Sequence, residues 1–239
     1  MDIIKVFEDV DEIATAALDY VLQAAAESID KNGVFNLVLA GGSTPEKLYR
    51  LLAQSDADWS KWQFFMGDER FVSLTDERSN FRLVRETILN KLSISDEQVH
   101  PVSVDASSVE KAADEYEKHI QNYFKGAQPA FDLILLGMGS DGHTASLFPG
   151  EPAISVTDRL VVASEPGVLP PPVDRVTFTF PLINAGRRVL FMAAGQDKAE
   201  VFAQVRQDLE KTPAEAITPA GKVRPDGELH WFVDRALAG

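Results

Sequence analysis

The sequence predicts an α/β protein built on a mostly parallel sheet, with helices covering both faces. Three observations carry that expectation. Short apolar runs, as in buried strands, alternate with helical stretches along the whole chain. The 239 residues suit one α/β unit of up to ~250, and no composition break, internal repeat or low-complexity tract divides residues 1–239, so a single domain is expected. Glycine-rich polar turns follow three of the strand-like runs, and open α/β sheets bind ligands beyond the carboxyl ends of their strands.

The elements follow in order. Met1-Asp2-Ile3-Ile4-Lys5 leads straight into an acidic amphipathic segment, where Val10, Ile13, Ala14, Ala17, Leu18, Val21 and Leu22 share one helical face. Val34 to Ala40 is a short apolar run that ends at Gly41-Gly42, a buried strand meeting a turn. Ser43-Thr44-Pro45 opens a helix to about Leu52, with Pro45 suited to the first helical position. Trp62 to Met66 reads as a strand ending at Gly67-Asp68-Glu69-Arg70, and Ser79-Asn80 caps a helix to about Asn90. Val109 to Phe124 is a further helix, and Phe131 to Leu136 is the clearest buried strand. An irregular region from about Gly137 to Asp174 carries Pro149-Gly150, Pro152, Pro166-Gly167 and Pro170-Pro171-Pro172, broken by a short strand near Leu160–Ala163. Strands at Val176–Phe180 and Val189–Ala193, a helix at Lys198–Leu209 and a strand at Leu229–Val233 complete the series.

Composition removes several classes of function. With 23 Lys+Arg against 37 Asp+Glu the formal charge is −14, which argues against nucleic-acid binding through phosphate neutralisation and against a basic membrane-surface role. Any anionic ligand must therefore be met by cations gathered locally. The absence of cysteine excludes disulfides, zinc–thiolate sites, iron–sulfur clusters and a cysteine nucleophile. No signal-peptide pattern and no run of ~18 apolar residues occurs, so a cytoplasmic location is expected.

Gly41-Gly42-Ser43-Thr44-Pro45 joins a strand to a helix. Glycines let backbone amides approach a ligand, hydroxyls add donors, and a helix N-terminus favours an anion. The P-loop pattern is missing, and a plain turn with a Ser/Thr cap explains the same five residues equally well. Gly137-Met138-Gly139-Ser140-Asp141-Gly142 fits Gly-x-Gly-x-x-Gly, but Pro149-Gly150 leaves no room for the long helix a dinucleotide site needs. A glycine-lined pocket wall, with amides near Gly139–Gly142 available to an oxyanion, is the better reading. Asp141-Gly142-His143 sets an imidazole beside this turn with a carboxylate two residues away, suited to taking a proton from water. Metal ligation is not expected, because His100, His119, His143 and His230 show no ligand spacing. Met138 stands where a serine-hydrolase elbow needs glycine, which favours direct attack by water. Arg175, Lys198 and Arg82 are candidate cations for a phosphate; Arg82 faces either the same rim or solvent. Asp68-Glu69-Arg70 is either a solvated charge cluster or part of the site.

The combined pattern resembles the 6-phosphogluconolactonase family. The matching segments are Leu39 to Pro45, Gly67 to Arg70, Ser79 to Arg82, Gly137 to Pro149, Arg175 to Thr179 and Gly195 to Ala199, spread over essentially the whole chain. The block Asp141-Gly142-His143-Thr144-Ala145-Ser146-Leu147-Phe148-Pro149 is the most specific. The related glucosamine-6-phosphate deaminases share the Gly-Gly-Ser-Thr-Pro and Asp-Gly-His elements but carry a glutamate where this chain has Phe148, and Asp-Glu-Tyr where it has Asp68-Glu69-Arg70. Both departures favour the lactonase side. The resemblance implies the Rossmann-like fold of those deaminases and hydrolysis of 6-phospho-D-glucono-1,5-lactone in the oxidative pentose phosphate pathway. It also implies site roles: Ser43, Thr44, Arg175 and Lys198 on the phosphate, with the Gly41-Gly42 backbone lining the site. His143 would be the general base, and Asp141 would orient the imidazole or shape its turn. Arg70 or the Gly139–Gly142 amides would hold the oxyanion, and Asp68 would position sugar hydroxyls or act as a base. No metal or organic cofactor is expected, and the sugar-phosphate lactone is the expected partner, without nucleic acid or membrane. The chain is expected to act as a monomer or small homo-oligomer.

Overall fold

The computed structural model describes residues 3–166 and 172–239. Gly167, Pro170 and Pro171 of the expected irregular region, and Met1 and Asp2, lie outside them.

The chain opens with β1 (Ile3–Phe7) and α1 (Val10–Asn32), followed by β2 (Phe35–Leu39) and α2 (Ser43–Leu52). Asp9 caps α1 by accepting the amides of Asp11 and Glu12, and Gly33, with φ of 78°, ends it in the left-handed turn that glycine enters without strain. Next come β3 (Trp62–Met66), β4 (Asp68–Arg70), α3 (Asn80–Thr87), β5 (Val99–His100), α4 (Val109–Tyr123) and β6 (Leu133–Leu136). The last third supplies β7 (Val161–Ser164), β8 (Arg175–Phe178), α5 (Phe180–Asn184), β9 (Arg188–Ala193), α6 (Ala199–Leu209), β10 (Glu228–Asp234) and α7 (Arg235–Ala238).

Seven strands form one parallel sheet in the order β1-β10-β9-β6-β2-β3-β5, as expected. Every residue of β2 and of β6 is buried, which is why β6 reads as a continuous apolar run and β2 as one broken only by Asn36. Aromatic pairs tie neighbouring strands together: Phe191 and Trp231 are register partners, stacked with ring centroids 3.8 Å apart. From β2 the chain works outward through β3 to β5, then returns to lay β6 on the other flank of β2. The crevice between the carboxyl ends of β2 and β6 is thus the topological switch point, where such sheets bind ligands.

Two expectations need correction here. Asp68–Arg70 is a strand rather than a turn, and it forms a second, antiparallel three-stranded sheet in the order β4-β8-β7. Its partner lies over a hundred residues away, so local sequence gave no sign of the pairing. Ile3–Phe7 is also a strand, at the edge of the main sheet beside β10, where its exposed side chains blur the period of two.

Candidate active site

At the end of β2 the chain passes through Gly41 and Gly42 into α2. No side chain caps this helix, and Ser43 and Thr44 are its first two residues, so Pro45 is the third helical position rather than the first. The amides of Ser43 and Thr44 find no acceptor among the described residues. Both residues line the cavity together with Gly41 and Gly42, an arrangement that suits an anion. Gly41 is required by close approach, since a Cβ there would fall 1.9 Å from Asn80 Oδ1.

The segment after β6 spends its hydrogen bonds differently. The amide of Gly139 donates to the carbonyl of His143 at 3.0 Å, and that of Gly142 to the carbonyl of Gly139 at 3.0 Å. The His143 amide donates to Asp141 Oδ1 at 3.0 Å. The amides of Gly139, Gly142 and His143 are therefore committed within the turn, which leaves those of Ser140 and Asp141 as the backbone donors of the Gly139–Gly142 stretch. No helix follows; Thr144 and Leu147 form a single antiparallel bridge instead.

The turn holds an imidazole. His143 Nδ1 lies 2.6 Å from Asp141 Oδ1. Burial opposes ionisation of Asp141, but the hydrogen bonds from the His143 ring and amide outweigh it and hold the carboxyl below its usual range. An ionised acceptor places the imidazole proton on Nδ1 and leaves the Nε2 lone pair free. Gly139 lies so close that a Cβ would meet His143 Nδ1 and Cε1 at 2.1 Å. Phe148 packs on the ring at 4.6 Å between centroids and carries the Arg175 guanidinium 5.1 Å from its own centroid.

The second sheet delivers the charges. Register sets Arg70 opposite Arg175 and Asp68 opposite Thr177, and Asp68, Arg70 and Arg175 all line the cavity. Arg70 is steadied by donating from Nη1 to the carbonyl of Arg78 at 2.7 Å. Burial weakens the hold of Arg175 on its proton, Asp68 strengthens it, and Arg70 weakens it again. Like charges opposite one another destabilise a sheet, and the carboxylate of Asp68 offsets that repulsion at Arg175. Asp68 Oδ2 accepts from Ser146 Oγ at 2.6 Å, which links β4 to the His143 segment. Glu69 is fully buried and accepts the amides of Asn80 and Phe81 and the Ser79 hydroxyl, so it bolts the start of α3 to β4. Burial pushes its carboxyl up despite those bonds. The solvated-cluster reading of Asp68 and Glu69 is thereby excluded.

One cavity of about 220 Å³ gathers Gly41, Gly42, Ser43, Thr44, Asp68, Arg70, Gly139, His143, Arg175 and Lys198. That volume is below the ~300–1,000 Å³ typical of drug-sized ligands and suits a single small metabolite. Asp141 stands behind His143. Arg82 is the exception: it is not part of the cavity wall, and it donates instead to Glu86 at 2.8 Å and to the carbonyl of Thr75 at 3.3 Å. Its neighbour Asn80 takes the place, lining the cavity and donating to the carbonyl of Asp68 at 3.1 Å. The sequence signals Asn80 as part of a helix cap and of the matching segment Ser79 to Arg82, without a site role of its own. Among the described residues no group of three or more acidic or histidine side chains could hold a metal, and no helix is long and apolar enough to cross a membrane.

Comparison with known proteins points the same way. The family model described as glucosamine-6-phosphate isomerases/6-phosphogluconolactonase matches residues 8–231. The 6-phosphogluconolactonase of a Nostoc species is 38% identical over 240 residues, covering 98% of this chain and 95% of that protein. Its counterpart in a Synechocystis species is 40% identical over 222 residues, covering 92% and 90%. The solved 6-phosphogluconolactonase of Trypanosoma cruzi superposes with a TM-score of 0.89 at 32% identity, covering all of this chain and 96% of that one. The chain belongs to the glucosamine-6-phosphate isomerase/6-phosphogluconolactonase family and, within it, to the 6-phosphogluconolactonases.

Proposed function

We propose that the chain opens 6-phospho-D-glucono-1,5-lactone to 6-phospho-D-gluconate in the oxidative pentose phosphate pathway, with His143 as general base. The observation that carries the mechanism is the Asp141–His143 pair at 2.6 Å, set in a cavity whose other walls hold Arg70, Arg175, Lys198 and the start of α2. In a chain of formal charge −14, that local gathering of cations is what a phosphorylated substrate requires.

His143 Nε2 takes a proton from water as its oxygen attacks C1, and ionised Asp141 stabilises the imidazolium that forms. Negative charge develops on the carbonyl oxygen. Arg70, which lines the cavity, is the donor assigned to it, with the amides of Ser140 and Asp141 as the backbone alternative. The C1–ring oxygen bond then breaks, and the imidazolium returns its proton to the leaving ring oxygen. Ser43, Thr44, the free amides of α2, Arg175 and Lys198 hold the phosphate. Asp68 and Asn80 remain to accept and donate hydrogen bonds to sugar hydroxyls. Phe148 leaves the site without the carboxylate that deaminases carry at that position, which supports lactone opening over amino-sugar chemistry. A cytoplasmic setting, a single domain over residues 1–239 and a monomer or small homo-oligomer belong to the same proposal.

The test is hydrolysis of freshly prepared 6-phosphogluconolactone, followed by acid release and corrected for spontaneous opening, with glucosamine 6-phosphate run in parallel for ammonia. Rapid lactone loss without ammonia is the expected result. Acceleration of neither reaction by protein that still binds a sugar phosphate would turn the reading toward a non-catalytic sensor.

A further inference from the structure

The turn that carries Asp141 and His143 is braced from behind by α6 and the loop after it. Gly142 sits between the two partners with φ of +81°, and a Cβ there would meet Val201 Cγ2 at 3.0 Å and Thr218 Cβ at 3.1 Å. Its carbonyl accepts the amide of Ala220 at 2.9 Å. The peptide joining Asp141 to His143 is thus pressed against α6 on one side and residues 218–220 on the other.

What fixes residues 218–220 is a buried carboxylate. Asp208, in the last turn of α6, is fully buried. Its Oδ2 accepts from the amides of Ile217 at 3.1 Å and Thr218 at 2.8 Å, and from Thr218 Oγ1 at 2.8 Å. Its Oδ1 accepts from Gln204 Nε2 at 3.0 Å and Lys211 Nζ at 3.3 Å. Thr218 Oγ1 in turn accepts the amide of Gly221 at 3.1 Å. An acid near a helix C-terminus opposes the macrodipole and is costly to bury, so its bonds to the loop are what this position gains.

We propose that Asp208 is a positioning residue for the lactone-opening step: through Thr218 and Ala220 it fixes the Gly142 peptide, and so the Asp141–His143 hydrogen bond. The proposal rests on the assignment of His143 as base. Asp208→Asn keeps the size of the side chain and disturbs the acceptor pattern, while Thr218→Val removes one hydroxyl and serves if the first variant fails to fold.

Two readouts test it on the full chain. In steady-state lactone hydrolysis the variants should lose about tenfold in kcat, the scale of a small misplacement of reacting groups, with KM within twofold. In proton NMR, the downfield imidazole resonance that His143→Asn abolishes should shift or broaden in Asp208→Asn while circular dichroism stays native. A variant with wild-type kcat and an unmoved resonance overturns the proposal, as does a lower melting temperature with both unchanged. If the wild-type protein does not hydrolyse the lactone, the functional assignment fails, and the resonance still decides whether Asp208 positions the pair.

Discussion

Two glycine turns leave neighbouring strands of the same sheet and do opposite things with their backbone. The turn after β2 enters a ten-residue helix and leaves the amides of Ser43 and Thr44 without acceptors among the described residues. The turn after β6 meets Pro149-Gly150 before any helix can form and commits the amides of Gly139, Gly142 and His143 within itself. In the proposed function one turn serves as receptor for an anion and the other as mount for two side chains. Glycine content does not distinguish them, and the element that follows does. If the division is real, substitutions at the first turn and its cations act on KM, and substitutions at the second act on kcat.

The largest effect belongs to the mount. His143→Asn should lower kcat by about 10²–10⁴ with little change in KM, the usual worth of a general base. Near wild-type turnover in steady-state assays would remove His143 from that role. Gly139→Ala comes next. The new Cβ, at 2.1 Å from the ring and 2.9 Å from Asp141 Oδ1, would force the imidazole off its partner. Because φ at Gly139 is not positive, the backbone itself tolerates alanine, so the fold should survive. A loss of about 10–100-fold in kcat is expected. An unchanged kcat would mean the ring has freedom that the packing denies.

The receptor gives a smaller effect of a different kind. Lys198 lines the cavity at the start of α6, and removing one charge-assisted hydrogen bond costs about 1.5–3 kcal/mol, roughly 10–100-fold in binding. Lys198→Ala should therefore raise KM by that factor and leave kcat within a few-fold. Equal losses in the two constants would erase the distinction between binding and reacting turns.

How much of this was legible in the sequence follows from how local each signal is. The bounds of β3 could be read from its apolar run, because that signal lies inside the element, whereas α2 lies where expected although Gly42 caps it without a side chain and Pro45 is its third residue. β4 could not, because three charged residues become a strand only when β8 arrives beside them. The Asp141–His143 pair is two residues apart and was visible as such. The link from Ser146 to Asp68 spans 78 positions and was not. From sequence Arg82, a candidate cation, faces either the rim or solvent; the helix turns it toward Glu86 and gives the cavity wall to Asn80. The sheet's rim is a local property; which side chain on a helix faces it is not.

The smallest effect on activity comes from histidines outside both turns, and it separates loss of chemistry from loss of fold at low pH. His100 lies on β5, stacked on Phe65 at 4.0 Å, with Nδ1 2.8 Å from His119 Nε2 and Nε2 2.9 Å from Gln63 Oε1. Burial, helped by His119, pushes its pKa down to about 4. Burial also lowers that of His119. In the unfolded chain His100 titrates near ~6.5, so below that pH the unfolded state binds more protons than the folded one. The folded state should thus lose stability progressively as pH falls from about 6.5 to about 4, by at most about 3 kcal/mol from His100. His100→Phe keeps a ring on Phe65 and removes the titration. Its urea midpoint should fall less steeply between pH 7 and 5 than that of the wild type, while turnover at pH 7.5 stays within twofold. Parallel slopes would show that the pair does not govern acid stability, and any acid loss of activity would then have to be sought at the mount itself.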